Sequence, residues 1–488
     1  MILQLLLFFS IYQWFFDIVY YFVGGFALLS AFLVVTIINS KSNPAFKLAW
    51  ILPVLVIPVF GGFLYLAVER NLGGRTFHKK VQLTLDKTSG FLKTSPPVLE
   101  DLQEKPLKNL AHYVENTSGF PIYQNTTISY FPLGEHKFAE MKKQLSKAER
   151  FIFLEYFIVD EGKMWGELLE ILIEKAKQGV EVRVMYDGMG TMLTLPSNYD
   201  DFLTEQGIKA KIFSPIIPLI STHQNNRDHR KILVIDGKIA FNGGVNLADE
   251  YINEKVVYGH WKDVAILLDG EAVKSFTLMF LQMWNIEDQV DDDFEIYLKS
   301  EVYPKKTGFI MPYCDNPLTH DRVGETVYMD IINKAQQYLY IMTPYLIIDN
   351  ELLTALTVAS KSGVDVKIMM PHIPDKKLPF DIARTFYPIL MEAGIEIYEY
   401  TEGFIHGKMF VCDGKKAVVG TVNLDYRSLY HHFECATYME DVPEISEMES
   451  DFQTTLKRCQ LMTFDKFRAL PVSRRLRGRI FRLLAPLM

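Results

Sequence analysis

The sequence predicts an α/β protein built from a duplicated unit and preceded by an N-terminal transmembrane helical hairpin. Three observations predict it. Two uncharged apolar runs, Ile18 to Ile38 and Leu48 to Val68, stand near the start of the chain. A strand–helix–strand pattern then occurs twice after residue 140, and each copy is followed by one HxKxxxxD motif. At 488 residues the chain exceeds one ordinary hydrophobic core, so two or more units are expected.

The hairpin comes first. A helix rises about 1.5 Å per residue and the hydrocarbon core of a bilayer is about 30 Å thick, so roughly 20 apolar residues span it. Both runs have that length. Pro53 and Pro58 would kink the second without forbidding it, and Asn39 to Lys47 reads as the polar turn between them. A cleaved signal peptide is disfavoured, because Met1 to Phe16 carries no Lys or Arg and no small-residue cleavage site follows. A soluble hairpin would show a polar face, and neither run has one. Met1 to Phe16 is itself apolar and fits an extension of the first helix, an interfacial segment or a span. Lys41 and Lys47 in the turn are outnumbered by Arg70, Arg75, Lys79 and Lys80 beyond the second run, which puts the large C-terminal part in the cytoplasm.

Composition narrows the class. With 49% hydrophobic and 13% aromatic residues the chain is not disordered. A net charge of −8 argues against a dedicated nucleic-acid binder, although the local field at a site outweighs the sum. Cys314, Cys412, Cys435 and Cys459 form no CxxC pair and the histidines no HExxH. No metal and no cofactor are therefore expected, and the scattered thiols read as reduced and cytosolic.

The duplication sets the fold. Phe151 to Phe157 is an apolar strand run, Glu167 to Lys177 a helical one, and Gly179 to Tyr186 a second strand; Tyr338 to Pro344, Glu351 to Lys361 and Gly363 to Met370 repeat the order. Each set is a βαβ crossover, which implies parallel strands with helices packed outside. The expected organisation is a membrane anchor over 1–70, a linker over 71–119, two repeats over 120–300 and 301–470, and a basic amphipathic tail over 471–488.

The chemistry lies in the motif. His229, Lys231 and Asp236 in the first repeat match His406, Lys408 and Asp413 in the second; Gly243 and Asn246 match Gly420 and Asn423 in a following GxxN, which in the second repeat also contains Thr421. One such motif occurs by chance; two in register with a duplicated crossover do not. On a strand, residues i and i+2 share a face, so His229 and Lys231 project together, as do His406 and Lys408, with Arg230 and Gly407 facing away. If the repeats pack about a pseudo-twofold axis, the two edges meet and form a phosphate pocket. Its oxygens would be bonded by Lys231, Lys408, Asn246 and Asn423. One neutral imidazole would attack phosphorus and the other, protonated, would protonate the leaving oxygen. The lysines would supply fixed positive charge. Asp236 and Asp413 complete the candidate catalytic set by motif, yet fall an odd number of residues after the lysine and read as braces of the fold.

These residues resemble the phospholipase D superfamily over essentially the whole chain beyond residue 120. Ser42-Asn-Pro44, Pro58 to Gly62, Asn226 to Lys231 and Trp261-Lys-Asp263 resemble bacterial cardiolipin synthases in particular. The resemblance implies an α/β/α sandwich pseudo-dimer with the site at the interface, His229 as nucleophile, His406 as general acid/base, and Asp263 and Glu434 as the groups that orient the imidazoles. Gly243 and Thr421 would join Asn246 and Asn423 around the phosphate. Gly244 departs from the pattern, standing where the family often has Ser or Thr. The implied reaction joins two phosphatidylglycerols and releases glycerol at the bilayer. A superfamily nuclease, expected to show a basic, aromatic-rich groove, and a hydrolytic phospholipase D would share the catalytic residues. The tail Arg474 to Leu484 mixes cations with apolar residues and suits an anionic lipid surface. Oligomeric state is not legible here.

Overall fold

The computed structural model describes residues 24–69, 74–103, 105–215, 225–288, 292–299, 301, 303–319 and 321–487. Two compact units result: one of residues 1–74 with 218–223 and 480–488, the other of residues 75–217 with 224–479.

In the first unit, residues 24–38 are helical, and Asn43 caps the next helix by accepting from the Ala45 amide at 2.9 Å. That helix, Pro44–Val56, ends at Ile57, and a further helix runs Pro58–Glu69. The expected continuous span over 48–68 is thus broken. Pro58 has no N–H to continue the ladder and disfavours the helical conformation at the residue before it, and Ile57 sits at φ −130°, ψ 75°. Gly61 then approaches the Pro53 carbonyl so closely that a Cβ would lie 2.1 Å from its oxygen. Among the described residues no helix is long and apolar enough to cross a membrane. Residues 1–16 and the start of the first run lie outside the described residues.

The second unit is α/β and holds both repeats. The first contributes β1 (Thr126–Phe131), β2 (Phe151–Tyr156), β3 (Glu181–Asp187), β4 (Lys209–Phe213), β5 (Lys231–Ile235), β6 (Ile239–Gly243), β7 (His260–Lys262) and β8 (Ala265–Gly270). The second contributes β9 (Phe309–Asp315), β10 (Tyr338–Met342), β11 (Leu346–Ile347), β12 (Asp365–Pro371), β13 (Glu396–Tyr400), β14 (Gly403–Ile405), β15 (Met409–Cys412), β16 (Lys416–Gly420), β17 (Leu424–Asp425), β18 (Glu434–Glu440) and β19 (Cys459–Leu461). Sheet one runs β1-β8-β6-β5-β2-β3-β4; sheet two, read from its matching edge, runs β9-β18-β16-β15-β10-β12-β13-β19. The same order appears twice, with β19 added at one edge. β2–β3–β4 and β10–β12–β13 are the parallel parts, and β5 and β15 join them antiparallel.

The expected crossovers are present. Helix Lys163–Lys177 links β2 to β3 and buries Met164, Trp165, Leu168 and Leu172, a stripe at helical spacing. Helix Asn350–Lys361 links β10 to β12 and is capped by Asp349, which accepts from the Leu352 amide. Gly179 and Gly363 follow these helices at φ 90° and 98°, where a side chain would be strained. Each motif aspartate sits in the turn after its strand and starts the neighbouring one. Asp236 accepts from the amides of Glu149, Arg150 and Phe151, and Asp413 from those of Gln336, Gln337 and Tyr338. Both stand at the far end of β5 and β15 from the histidines, so they hold strands rather than substrate.

The stretch 71–119, read as a linker, carries helices Gly74–Thr88, Pro96–Leu102 and Leu107–Ser118. Phe77, Val81 and Leu92 enter a core shared with both sheets, which is why the segment is ordered. At the other end, helix Val472–Arg482 brings Gly478 against the Asp381 backbone, and Arg477 Nε donates to the Asp381 carboxylate at 2.7 Å.

Candidate active site

Each histidine motif is held by backbone from the opposite repeat. The Phe433 amide donates to the Arg227 carbonyl at 2.9 Å and the His229 amide to the Phe433 carbonyl at 3.0 Å. In the other direction β14 pairs parallel with β7, and the His406 amide donates to the Lys262 carbonyl at 2.7 Å. The residue after each accepting carbonyl is a carboxylate: Glu434 after Phe433, Asp263 after Lys262. The imidazoles are consequently braced crosswise. His229 Nδ1 lies 2.9 and 3.0 Å from the two Glu434 oxygens, and His406 Nδ1 lies 2.7 Å from Asp263 Oδ2. Spacing along the sequence hides this exchange, because each carboxylate follows the other repeat's histidine in space and its own repeat's GxxN in sequence.

The lysines share the space. Lys231 Nζ donates to the His229 carbonyl at 2.5 Å, and Lys408 Nζ to that of His406 while lying 2.9 and 3.0 Å from the His406 ring nitrogens. The histidines, lysines and carboxylates are all buried. His229 is held well below the usual imidazole range by burial and by Lys231, His432, Lys408 and His406. His406 is pushed down to about 4 by burial and Lys408, against Asp263. Burial lowers Lys231 to about 8 and Lys408 to about 7, against Glu434 and Asp263 respectively. These mutual influences put both histidine–lysine edges in one field, poised for an anion that would restore the charge burial removes.

The carboxylates differ. Burial pushes Glu434 well above the carboxylate range despite Lys231 and the hydroxyls of Thr421 and Ser428. Burial acts on Asp263 in the same sense, but His406, Lys408 and the Val264 amide outweigh it and hold Asp263 low. The Thr421 hydroxyl, which donates to Glu434 Oε2, opposes that rise without cancelling it. Gly244, the departure from the family pattern, has a steric cause: a Cβ there would lie 2.2 Å from Asp263 Oδ1.

The GxxN residues divide. Asn423 keeps a buried Oδ1 with no partner. Asn246 is engaged, its Oδ1 accepting from the Ile158 amide at 3.1 Å and its Nδ2 donating to Tyr251 at 2.7 Å, so it holds the loop. Gly243, at φ 143°, is a close-approach position whose Cβ would meet the Val264 carbonyl at 2.5 Å. Thr421 serves Glu434 rather than an open phosphate position. Arg230, expected to face away, does so and pairs with Glu155 at 2.6 Å.

Several residues around the site were given no role by the sequence reading, although Arg227 and Trp261 lie in stretches that carried the resemblance. Phe157 packs edge-on to His229, whereas Tyr251, Trp261 and Phe404 surround His406. Arg227, beside the motif, forms a fully buried pair with Asp187 that fixes the loop before His229. Lys137 is fully buried, donates to the Val245 carbonyl at 3.2 Å and is lowered to about 7 by burial; no motif marks it. His432 lies 5.3 Å from the His229 ring, centroid to centroid, and only its place two residues before Glu434 could have pointed to it. Among the described residues two groups offer metal-ligating atoms within 4.8 Å of one another: His229, His432 and Glu434, and Glu325, Asp349 and Glu351.

Comparison with known proteins agrees with this geometry. Residues 141–284 and 328–456 match the family described as "Cardiolipin synthase, PLD-like domain", and residues 28–70 match "Phospholipase D-nuclease N-terminal". An uncharacterized protein of Streptococcus mutans is 50% identical over 93% of this chain and 99% of its own length. A cardiolipin synthase of Geobacillus sp. is 34% identical over 96% of this chain and 94% of its own length. Among solved structures, phosphatidylserine synthase of Haemophilus influenzae shares the fold, with a TM-score of 0.60 at 14% identity, over 78% of this chain and 99% of that one. Two matched halves, each carrying one HxK edge, and full-length relatives well above the level of chance place the chain in the cardiolipin synthase family of phospholipase-D-like proteins.

Proposed function

We propose that the protein is a cardiolipin synthase, transferring a phosphatidyl group between two phosphatidylglycerol molecules with release of glycerol through a phosphohistidine. The observation that carries this reading is the crossed pair of histidine–carboxylate braces with two lysines in one buried site. His229, kept neutral, attacks phosphorus through Nε2 while its Nδ1–H rests on Glu434. The bond from phosphorus to the headgroup glycerol oxygen breaks, and His406 supplies the proton to that oxygen, its imidazolium stabilised by Asp263. The headgroup hydroxyl of a second phosphatidylglycerol then attacks, giving its proton to His406, and the phosphorus–nitrogen bond breaks. Lys231, Lys408 and Asn423 bond the non-bridging oxygens throughout.

The same reading puts the N-terminal unit at the bacterial cell membrane as a multi-pass anchor, with the catalytic unit on the cytoplasmic side. In support, Leu28, Phe32, Val35, Ile38, Leu48, Leu55, Phe60 and Phe63 are all exposed, a surface that suits lipid better than water. Val472, Leu476 and Ile480 are exposed among the arginines of the tail helix and would rest on anionic lipid.

The test is purified full chain with phosphatidylglycerol, with and without a chelator. Cardiolipin and glycerol in equal amounts are expected. Phosphatidic acid in place of cardiolipin would make the protein a hydrolase, and no turnover of the lipid would overturn the substrate.

A further inference from the structure

His432 is the one imidazole of the site with no assigned task. It is 7% exposed, and neither ring nitrogen has a hydrogen-bond partner. A buried polar side chain left so is destabilising, and a ligand would recover that loss. The ring leans toward the carboxylate that braces His229. His432 Nδ1 lies 3.7 Å from Glu434 Oε1, and His229 Nδ1 lies 2.9 Å from the same oxygen. In a tetrahedral zinc site with ligands at about 2.1 Å, two donor atoms lie about 3.4 Å apart, and the two distances straddle that value. Two imidazoles and one carboxylate with an open fourth position form a common zinc donor set. Arg427, His431, Lys231 and Arg227 all oppose positive charge at His432, and burial favours the neutral form of Glu434, so a bound dication would have to displace the Glu434 proton and outweigh these cations.

We propose that His229, His432 and Glu434 form a site for a borderline transition-metal dication, with Zn2+ as the probe, and that occupancy switches the enzyme off. The inhibition rests on the reading that His229 is catalytic; the binding does not. The switch is tautomeric. With Glu434 as partner, the His229 proton sits on Nδ1 and the Nε2 lone pair is free for phosphorus. A metal on Nδ1 moves that proton to Nε2, so the ring presents N–H where the reaction needs a lone pair.

The experiment uses chelator-treated full chain in detergent micelles. Bound zinc is counted after equilibrium dialysis, cobalt substitution is read by its visible d–d absorption, and phosphatidylglycerol turnover is followed across the same zinc range. One zinc per chain, an absorption typical of four-coordinate cobalt, and loss of turnover at the concentration that fills the site are expected, reversed by chelator. His432→Phe should weaken zinc binding at least tenfold, and whatever turnover it retains should resist zinc by the same factor; His432→Cys should restore binding. Zinc stoichiometry and inhibition unchanged in His432→Phe would overturn the proposal, as would filling without inhibition. Should His432→Phe fail to fold, the cobalt spectrum of the unaltered protein decides, an octahedral or absent band refuting the site. If phosphatidylglycerol is not a substrate, the functional reading fails while the binding measurements still judge the metal site.

Discussion

The two histidine–carboxylate pairs are alike in arrangement and unequal in environment. His229 and Glu434 approach to 2.9 Å, His406 and Asp263 to 2.7 Å, both inside the same buried space. Yet Glu434 is driven toward its neutral form by burial, whereas Asp263 is held ionised by His406, Lys408 and the Val264 amide. A neutral acid accepts a bond from His229 without inviting a second proton onto the ring, which suits a nucleophile. An ionised carboxylate stabilises an imidazolium, which suits an acid. Duplication thus supplies symmetric positions, and the different neighbours of the two carboxylates, with His406, Lys408 and the Val264 amide outweighing burial only at Asp263, separate the two roles.

The hardest test of that contrast removes the rings. His229→Ala should abolish the phosphoryl adduct and cut turnover on the order of 10^4-fold or more. His406→Ala should still form the adduct from a substrate whose leaving group needs no proton, such as a nitrophenyl ester; rapid-quench trapping checks both. Adduct surviving in His229→Ala but absent in His406→Ala would reverse the roles.

The carboxylates come next. Asp263→Asn should lower kcat by about 10^2–10^4-fold, the span typical of acid–base catalysis, and Glu434→Gln by less, because Glu434 already tends to its neutral form. Equal losses would erase the distinction.

A pH profile sharpens it further. Lys408 and Lys231 must be charged to hold the phosphodiester, and their values of about 7 and 8 mean that kcat/KM falls as pH rises through that window. Asp263 raises Lys408 and His406, so Asp263→Asn should move the falling limb to lower pH. A limb that stays in place would separate Asp263 from the lysine.

The smallest effects belong to the frame. Gly244→Ala places a methyl against Asp263 and should cost about 1–3 kcal/mol by thermal or denaturant unfolding, with activity falling as the His406 brace shifts. Asp236→Ala and Asp413→Ala each strand three amides and should cost a similar amount of stability, with little loss of kcat in the protein that remains folded.

The sequence by itself determined the duplicated crossover and both HxK edges, because strand and helix periodicities and short motifs are local properties; Asp263 and Glu434 were named only by resemblance. The aspartates of the motif were legible as braces for the same reason: an odd offset on a strand points away from the lysine. Tertiary structure decided the rest. It broke the second apolar run at Ile57, where length and hydropathy had suggested one helix and proline geometry prevailed. It folded 71–119 into helices, since Phe77 and Val81 needed a core the sequence does not display. It crossed Asp263 to His406 and Glu434 to His229, brought His432 and Lys137 to the site, and turned Asn246 and Gly243 to holding the loop. Partners hundreds of residues apart leave no local pattern, and the burial that sets their charge exists only once two sheets have closed around them.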